Sequence, residues 1–384
     1  MPINYLYIDD EESKTLELLI ESIEVESQDK IKIQHTQVME SMKALVGYIQ
    51  EQKGIYQGLI IDQDLKAESK EGYKADYFGT ALAQQLRTEM AITNLNSMPI
   101  VLLSNEEVIV ESLLPDDASK NLFDFVIKKK EIAIPEIKAR VSKMLIALVE
   151  AYNLARGYRK PLGVDLDKVE VQSLLQCNSV VFKFVDSRFI DFLSSKASDP
   201  HALVGSIYSS LIQSAGILVT EVMLKTKLGV SDDSEGWEVL KKELEPYLYL
   251  GPFSGLKERW WFAGIENWWF SIHEDDVLQS LTCEERVAIL IEHFGIPELE
   301  AITTRYPNGD QSMNLWVNCV VSGVPLDPYD ALRVRDTDSK IWEQPKYIDL
   351  ITYLNGETDK YVIHTDDKKK IRNLLKRLNP DVNG

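Results

Sequence analysis

Cysteine is scarce in this chain. Cys177, Cys283 and Cys319 are the only 3 in 384 residues, far apart and odd in number. That excludes a disulfide framework and any cysteine metal spacing, and it fits a reducing compartment. Long apolar runs are missing too. None reaches the roughly 18 residues a membrane-spanning helix needs, so no membrane partner is expected. Residues 1–10 have no basic segment ahead of their acidic pair, so a signal peptide is not expected and a cytoplasmic location is. Positive charge is short as well. The net charge is −19, with −7 from residues 1–160 and −12 from residues 161–384. Nucleic-acid binders carry a basic domain or stripe. Here the one dense basic segment, 368–377, reads as a solvated helix face with cations toward the helix end. Nucleic acid is therefore not an expected partner. The 5 histidines form no HExxH spacing, and GxSxG and P-loop motifs are absent.

What the first 130 residues do contain is alternation. Tyr5-Leu6-Tyr7-Ile8, Ile31-Lys32-Ile33, Gly58-Leu59-Ile60-Ile61, Pro99-Ile100-Val101-Leu102-Leu103 and a run over 123–127 read as strands. Between them, 13–23, 38–49, 77–90 and 106–114 carry apolar residues at helical spacing. Strands that are apolar throughout belong to a sheet covered on both faces. The expected fold is an α/β domain with a doubly wound, five-stranded parallel sheet. In such sheets chemistry gathers beyond the carboxyl ends of the strands. Four of those ends carry polar groups: Asp9 and Asp10, Asp62, Ser104 and Lys128. Each alone is ordinary, since an acidic pair or a serine after a strand commonly caps a helix. Together they face one crevice.

In order and type these residues resemble the receiver domain of bacterial two-component response regulators, over residues 1–133. The resemblance implies that Asp9 and Asp10 hold Mg²⁺ together with Asp62 and the backbone carbonyl of Asp64. It makes Asp62 the phosphoacceptor, supplied by a histidine kinase or phosphotransfer protein. Ser104 becomes the switch hydroxyl, Lys128 the lysine that faces the phosphoryl group, and Phe125 the switch aromatic that rotates when Ser104 is drawn inward. The physical logic is consistent. Clustered carboxylates need a hard cation, in-line phosphoryl transfer needs positioning and charge neutralisation, and one added charge group biases a two-state element. Two features depart from the family. Lys129 and Lys130 follow Lys128 where a proline is usual, and the charged insertion over 66–76 lengthens the third loop. A pseudo-receiver that is never phosphorylated is the alternative for this half.

Residues 134–163 read as a connecting helix followed by a hinge, 164–310 as a mostly helical output domain, and 311–384 as a mixed α/β tail packed on it. Within this half, 202–224 reads as one central helix, and Asn355-Gly356 as a hairpin turn. The aromatic segment from Arg259 to Phe270 is the densest. Trp261, Ile265, Trp268 and Trp269 fall at helical spacing, as in a core helix. The alternative is a docking surface formed by Arg259, Trp260, Trp261, Trp268 and Trp269, residue types that dominate interface energetics. The output half is expected to act through a protein partner, with a homodimer or an effector enzyme as alternatives.

Overall fold

A computed structural model of the protein describes residues 2–66, 72–92, 94–104, 122–306, 308–358 and 361–379. The helix expected over 106–114, and Glu68, Lys70 and Glu71 of the insertion, lie outside them.

The N-terminal part is an α/β fold. Strands β1 (Ile3–Ile8), β2 (Ile31–Thr36), β3 (Gly58–Asp62), β4 (Ile100–Ser104) and β5 (Phe125–Lys128) form a sheet in the order β2-β1-β3-β4-β5. Every pairing in it is parallel. The strand order reverses between β1 and β3, which puts the binding crevice of such a sheet at their carboxyl ends. Helices α1 (Ser13–Glu26), α2 (Met42–Glu51), α3 (Gly79–Ala91) and α4 (Pro135–Gly157) cover it. One face packs Leu6, Ile8, Leu59, Ile61, Ile100 and Leu102 against Leu45, Val46 and Ile49 of α2 and Leu82, Leu86 and Met90 of α3. On the other face the Tyr5 hydroxyl donates to the Leu145 carbonyl of α4 at 2.7 Å. Burial on both sides explains why these strands read as unbroken apolar runs, and β3 is buried at every residue. The Ser41 side chain caps α2 by accepting from the Ala44 amide. Pro135 starts α4, where its missing N–H has no cost.

The chain divides into two compact units. One comprises 1–175, 190–209 and 251–256, and the other 176–189, 210–250 and 257–384. The expected hinge therefore stays with the sheet, and two later segments return to it. The second unit mixes short helices, irregular segments and small antiparallel ribbons. Leu218–Thr220 pairs with Arg259–Trp261, Val317–Asn318 with Pro325–Leu326, and Leu332–Arg333 with Tyr347–Ile348.

Two expectations from periodicity fail here. The central helix over 202–224 is broken into Pro200–Ile207, a π-helical turn Tyr208–Gln213, the strand Leu218–Thr220 and a helix Glu221–Leu228. Gly216 lies at φ +135°, a conformation closed to other residues and incompatible with a helix. The hairpin at Asn355-Gly356 is a helix end instead. Asp349 accepts from the Ile351 amide at 3.0 Å and the Thr352 amide at 3.2 Å, which starts the helix Leu350–Leu354. Gly356, at φ +74°, lies just beyond it.

Candidate functional site

Strands β1 and β3 are neighbours in register, Ile8 opposite Ile61, so Asp9 and Asp62 emerge side by side at their carboxyl ends. Strand side chains alternate between faces. Tyr7 and Asp9 thus share the α1/α4 face with Ile60 and Asp62. Both carboxylates are buried, Asp9 at 0% exposure and Asp62 at 6%. The start of α3 presses on the same spot. A Cβ on Gly79 would stand 2.1 Å from the Asp62 carbonyl oxygen, so only glycine lets α3 begin there.

One cation joins the two carboxylates, and it is Lys129. Its Nζ lies 2.8 Å from Asp9 Oδ2, 2.9 Å from Asp62 Oδ1 and 3.6 Å from Glu11 Oε1. This corrects the sequence assignment of Lys128. That side chain reaches Glu131, 3.5 Å away, and is partly exposed. The reason is parity. Ser104 pairs with Lys128 and Leu103 with Ile127 in the β4–β5 register, while Asp62 pairs with Leu103. Ile127, and by alternation Lys129, therefore fall on the face of Asp62, whereas Lys128 falls on the other.

The same parity separates Ser104 from Phe125. Ser104 is buried at the end of β4, on the face of Leu102. Phe125 pairs with Val101 on the opposite face, and its ring centroid lies 5.9 Å from the Arg140 guanidinium of α4. Phe125 also opens β5, about 10 Å along the strand from the carboxyl end at ~3.3 Å per residue. Ser104 and Phe125 therefore lie on opposite faces of the sheet. Asp10 is half-buried next to Asp9, and its carbonyl accepts from Gln37 Nε2 at 2.9 Å. Asp64 turns its amide to Asp62, donating to Oδ2 at 2.9 Å.

The two carboxylates differ in character. For Asp9, burial raises the pKa, but the Lys129 charge and hydrogen bonds from Lys129, the Tyr7 hydroxyl and the Glu11 amide outweigh it and hold the group below its ordinary value. For Asp62, burial dominates. Lys129 and the Asp64 amide counter it, the Asp9 charge adds to it, and the carboxyl is pushed up to about 6. For Lys129, burial disfavours the charged form, but Asp62 and Asp9 more than offset this and the pKa is raised. His35, opposite Tyr7 in the register, borders the cluster. Its Nδ1 pairs with Ser13 Oγ at 2.8 Å, and burial lowers its pKa.

Among the described residues, no three His, Cys, Asp or Glu side chains form a ready-made metal group. Carboxylate oxygens are the donors that Mg²⁺ takes, and in this structure those of Asp9 and Asp62 are bridged by Lys129 Nζ. Tyr7, Glu11, His35 and Lys129 escaped the reading of the sequence. Strand alternation was the signal for Lys129 and Tyr7, two residues from Ile127 and Asp9 respectively.

The aromatic segment is core. Trp260, Trp261, Trp268 and Trp269 are all buried, and three of them join Leu224, Leu240 and Leu290 in one apolar cluster. Arg259 donates to the Ile212 carbonyl at 2.9 Å. The four rings form no exposed docking face: Trp260 and Trp261 are buried in the strand Arg259–Trp261, not in the expected helix, and Trp268 and Trp269 on the inner face of the helix Phe262–Ile272. Among the described residues no helix is long and apolar enough to cross a membrane. No family model matches the sequence, and no curated protein does.

Proposed function

We propose that residues 1–133 act as a phosphoacceptor domain of the receiver type within a response-regulator-like signalling protein. Asp62 takes a phosphoryl group from a histidine kinase or phosphotransfer protein. An Asp62 carboxylate oxygen forms a new bond to phosphorus while the bond from phosphorus to the donor's imidazole nitrogen breaks. The product is an acyl phosphate, and the imidazole leaves with its electron pair. Asp9, Asp62, Asp10 and the Asp64 carbonyl are the groups that would hold Mg²⁺, which when bound neutralises charge on the phosphoryl oxygens. Lys129, rather than Lys128, supplies the protein's own positive charge. The C-terminal region is the output and works through contact with a protein partner.

One observation carries this reading. A single buried ammonium lies within 2.9 Å of two carboxylates on adjacent strand ends, and the carboxyl of one of them is raised to about 6. Shifted groups held in a cluster at strand ends are the kind that functional sites collect. The test is phosphorylation by a small-molecule donor such as phosphoramidate, with and without Mg²⁺, read by intact mass. Wild type should gain one acid-stable, base-labile phosphoryl group only with Mg²⁺, and Asp62→Asn should gain none. Lys129→Ala should lose most of the labelling and Lys128→Ala little. Labelling that survives Asp62→Asn removes the acceptor, and equal losses at both lysines remove the assigned cation.

A further inference from the structure

The C-terminal unit holds a cavity of about 180 Å³ that the phosphoryl chemistry does not use. Drug-sized ligands occupy sites of roughly 300–1,000 Å³, so this one is scaled to a single long side chain or a small organic ion. Its lining residues include the aromatic Phe184, Phe262 and Trp342 and the acidic Asp186 and Glu266. Glu266 stands one turn after Phe262 on the helix Phe262–Ile272, so ring and carboxylate project on one face. Gly216 shapes the wall. A Cβ there would lie 2.3 Å from the Trp342 carbonyl oxygen, and the neighbouring Ala215 carbonyl accepts from the Gln344 amide at 2.7 Å.

The charges inside are unequal. Asp186 is engaged by Arg188, through Nε at 3.0 Å and Nη2 at 2.5 Å. Glu266 is acted on by burial, which raises its pKa, and by the charge of Lys227, which lowers it. Lys227 is buried behind Phe262, its Nζ 4.6 Å from the ring centroid and donating to the Trp316 carbonyl at 3.1 Å and to Gln344 Oε1 at 2.9 Å. Burial, with the nearby Arg286 charge, pulls that amine down to about 7 against the opposing charge of Glu266. Aromatic faces carry negative potential. A cation is the ligand that three rings and a half-buried carboxylate favour, and the −12 charge of residues 161–384 adds a field of the same sign. Phe184 is 51% exposed and Ile341, next to Trp342, is 70% exposed, so the rim is apolar.

We propose that this cavity binds an organic cation, an alkylammonium or alkylguanidinium group, with Glu266 as counter-charge and Phe184, Phe262 and Trp342 as aromatic walls. The proposal is independent of phosphorylation at Asp62. The group comes either from a free small molecule or from a lysine or arginine of a protein partner.

The full chain is titrated by calorimetry with n-butylguanidinium, with its neutral isostere n-butylurea, and with a short peptide carrying arginine or, in its place, citrulline. Butylguanidinium should bind at least tenfold more tightly than butylurea. Glu266→Gln should weaken it tenfold or more at unchanged Tm, and Phe184→Ala, at an exposed position, severalfold. Binding by the arginine peptide alone, lost with citrulline, supports the protein-borne source of the same group. Equal affinity for butylguanidinium and butylurea, undiminished binding by Glu266→Gln, or no binding by either cationic probe overturns the site.

Discussion

Two buried aspartates on one sheet behave in opposite ways. Asp62 ends β3 at the carboxyl edge, and Asp124 precedes β5 at the other. Each touches a cation, Lys129 at 2.9 Å and Arg87 at 2.7 Å. Asp124 is saturated. It also accepts from the Ile100 amide at 2.8 Å, the Tyr152 hydroxyl at 2.7 Å and His201 Nδ1 at 3.1 Å. Burial raises its pKa, but the charges of Arg87 and His201 and hydrogen bonds from His201 and Tyr152 hold the carboxyl well below the usual range. Arg87 in turn donates to the Leu122 and Met98 carbonyls. Asp62 has one backbone donor, a shared ammonium and a second carboxylate beside it. Burial is similar in the two cases, so the balance of donors against neighbouring negative charge decides the outcome. The first arrangement is a tie between α3, β5, α4 and the helix Pro200–Ile207. The second pairs two carboxylates with one shared ammonium and leaves the Asp62 carboxyl raised.

The contrast predicts its largest effect at Asp124. Asp124→Ala strands the buried Arg87 guanidinium and should cost about 3–5 kcal/mol, seen as a lowered denaturation midpoint. Asp62→Asn should leave stability at pH 7 unchanged or higher. Equal losses from the two variants would erase the distinction.

A smaller effect follows from pH. The Asp62 carboxyl is raised in the folded state, so the folded protein binds more protons than the unfolded chain between about pH 4 and pH 6. Stability contributed by this group is therefore present at the acidic end and is lost as pH rises to about 6. Asp124 is lowered, so its contribution is present above pH ~4 and is lost on further acidification. The advantage of Asp62→Asn over wild type should grow from pH 4 to 6, by at most about 3 kcal/mol for a shift of two units. Thermal melts of both proteins across that range measure it, and a constant difference would contradict the raised carboxyl.

The smallest and sharpest test compares adjacent lysines. Lys129→Met leaves two buried carboxylates facing each other and should cost about 1–3 kcal/mol at pH 7. Lys128→Ala removes only a partly exposed contact to Glu131 and should cost under about 0.5 kcal/mol. Chemical denaturation of the pair decides it, and reversed losses would return the role to Lys128.

Local chemistry made much of this legible. Five apolar runs separated by helical periodicities gave the parallel sheet, and the residues at the strand ends gave Asp9 and Asp62. Lys128 was chosen because it follows the last apolar residue of the strand. Lys129 was decided by alternation counted from a register that only the paired strands define. Trp268 and Trp269 lie in the helix their spacing suggested, while Trp260 and Trp261 fall in a strand paired with Leu218–Thr220, and all four are buried. The helix over 202–224 failed for the converse reason. Its apolar pattern is continuous, but Gly216 takes a positive φ and packs against a segment more than a hundred residues later.

By itself the sequence determined which residues are apolar, where they repeat with period two or near 3.6, and which charged groups fall at strand ends. These are properties of neighbours along the chain, and local sterics and solvation enforce them. Tertiary structure alone decided which of three consecutive lysines meets the aspartates, which aspartate becomes saturated with donors, and that a cavity lined by two acidic residues forms in the C-terminal unit. Each of those depends on charges and surfaces that approach across long sequence separations, where burial multiplies the strength of every unpaired group.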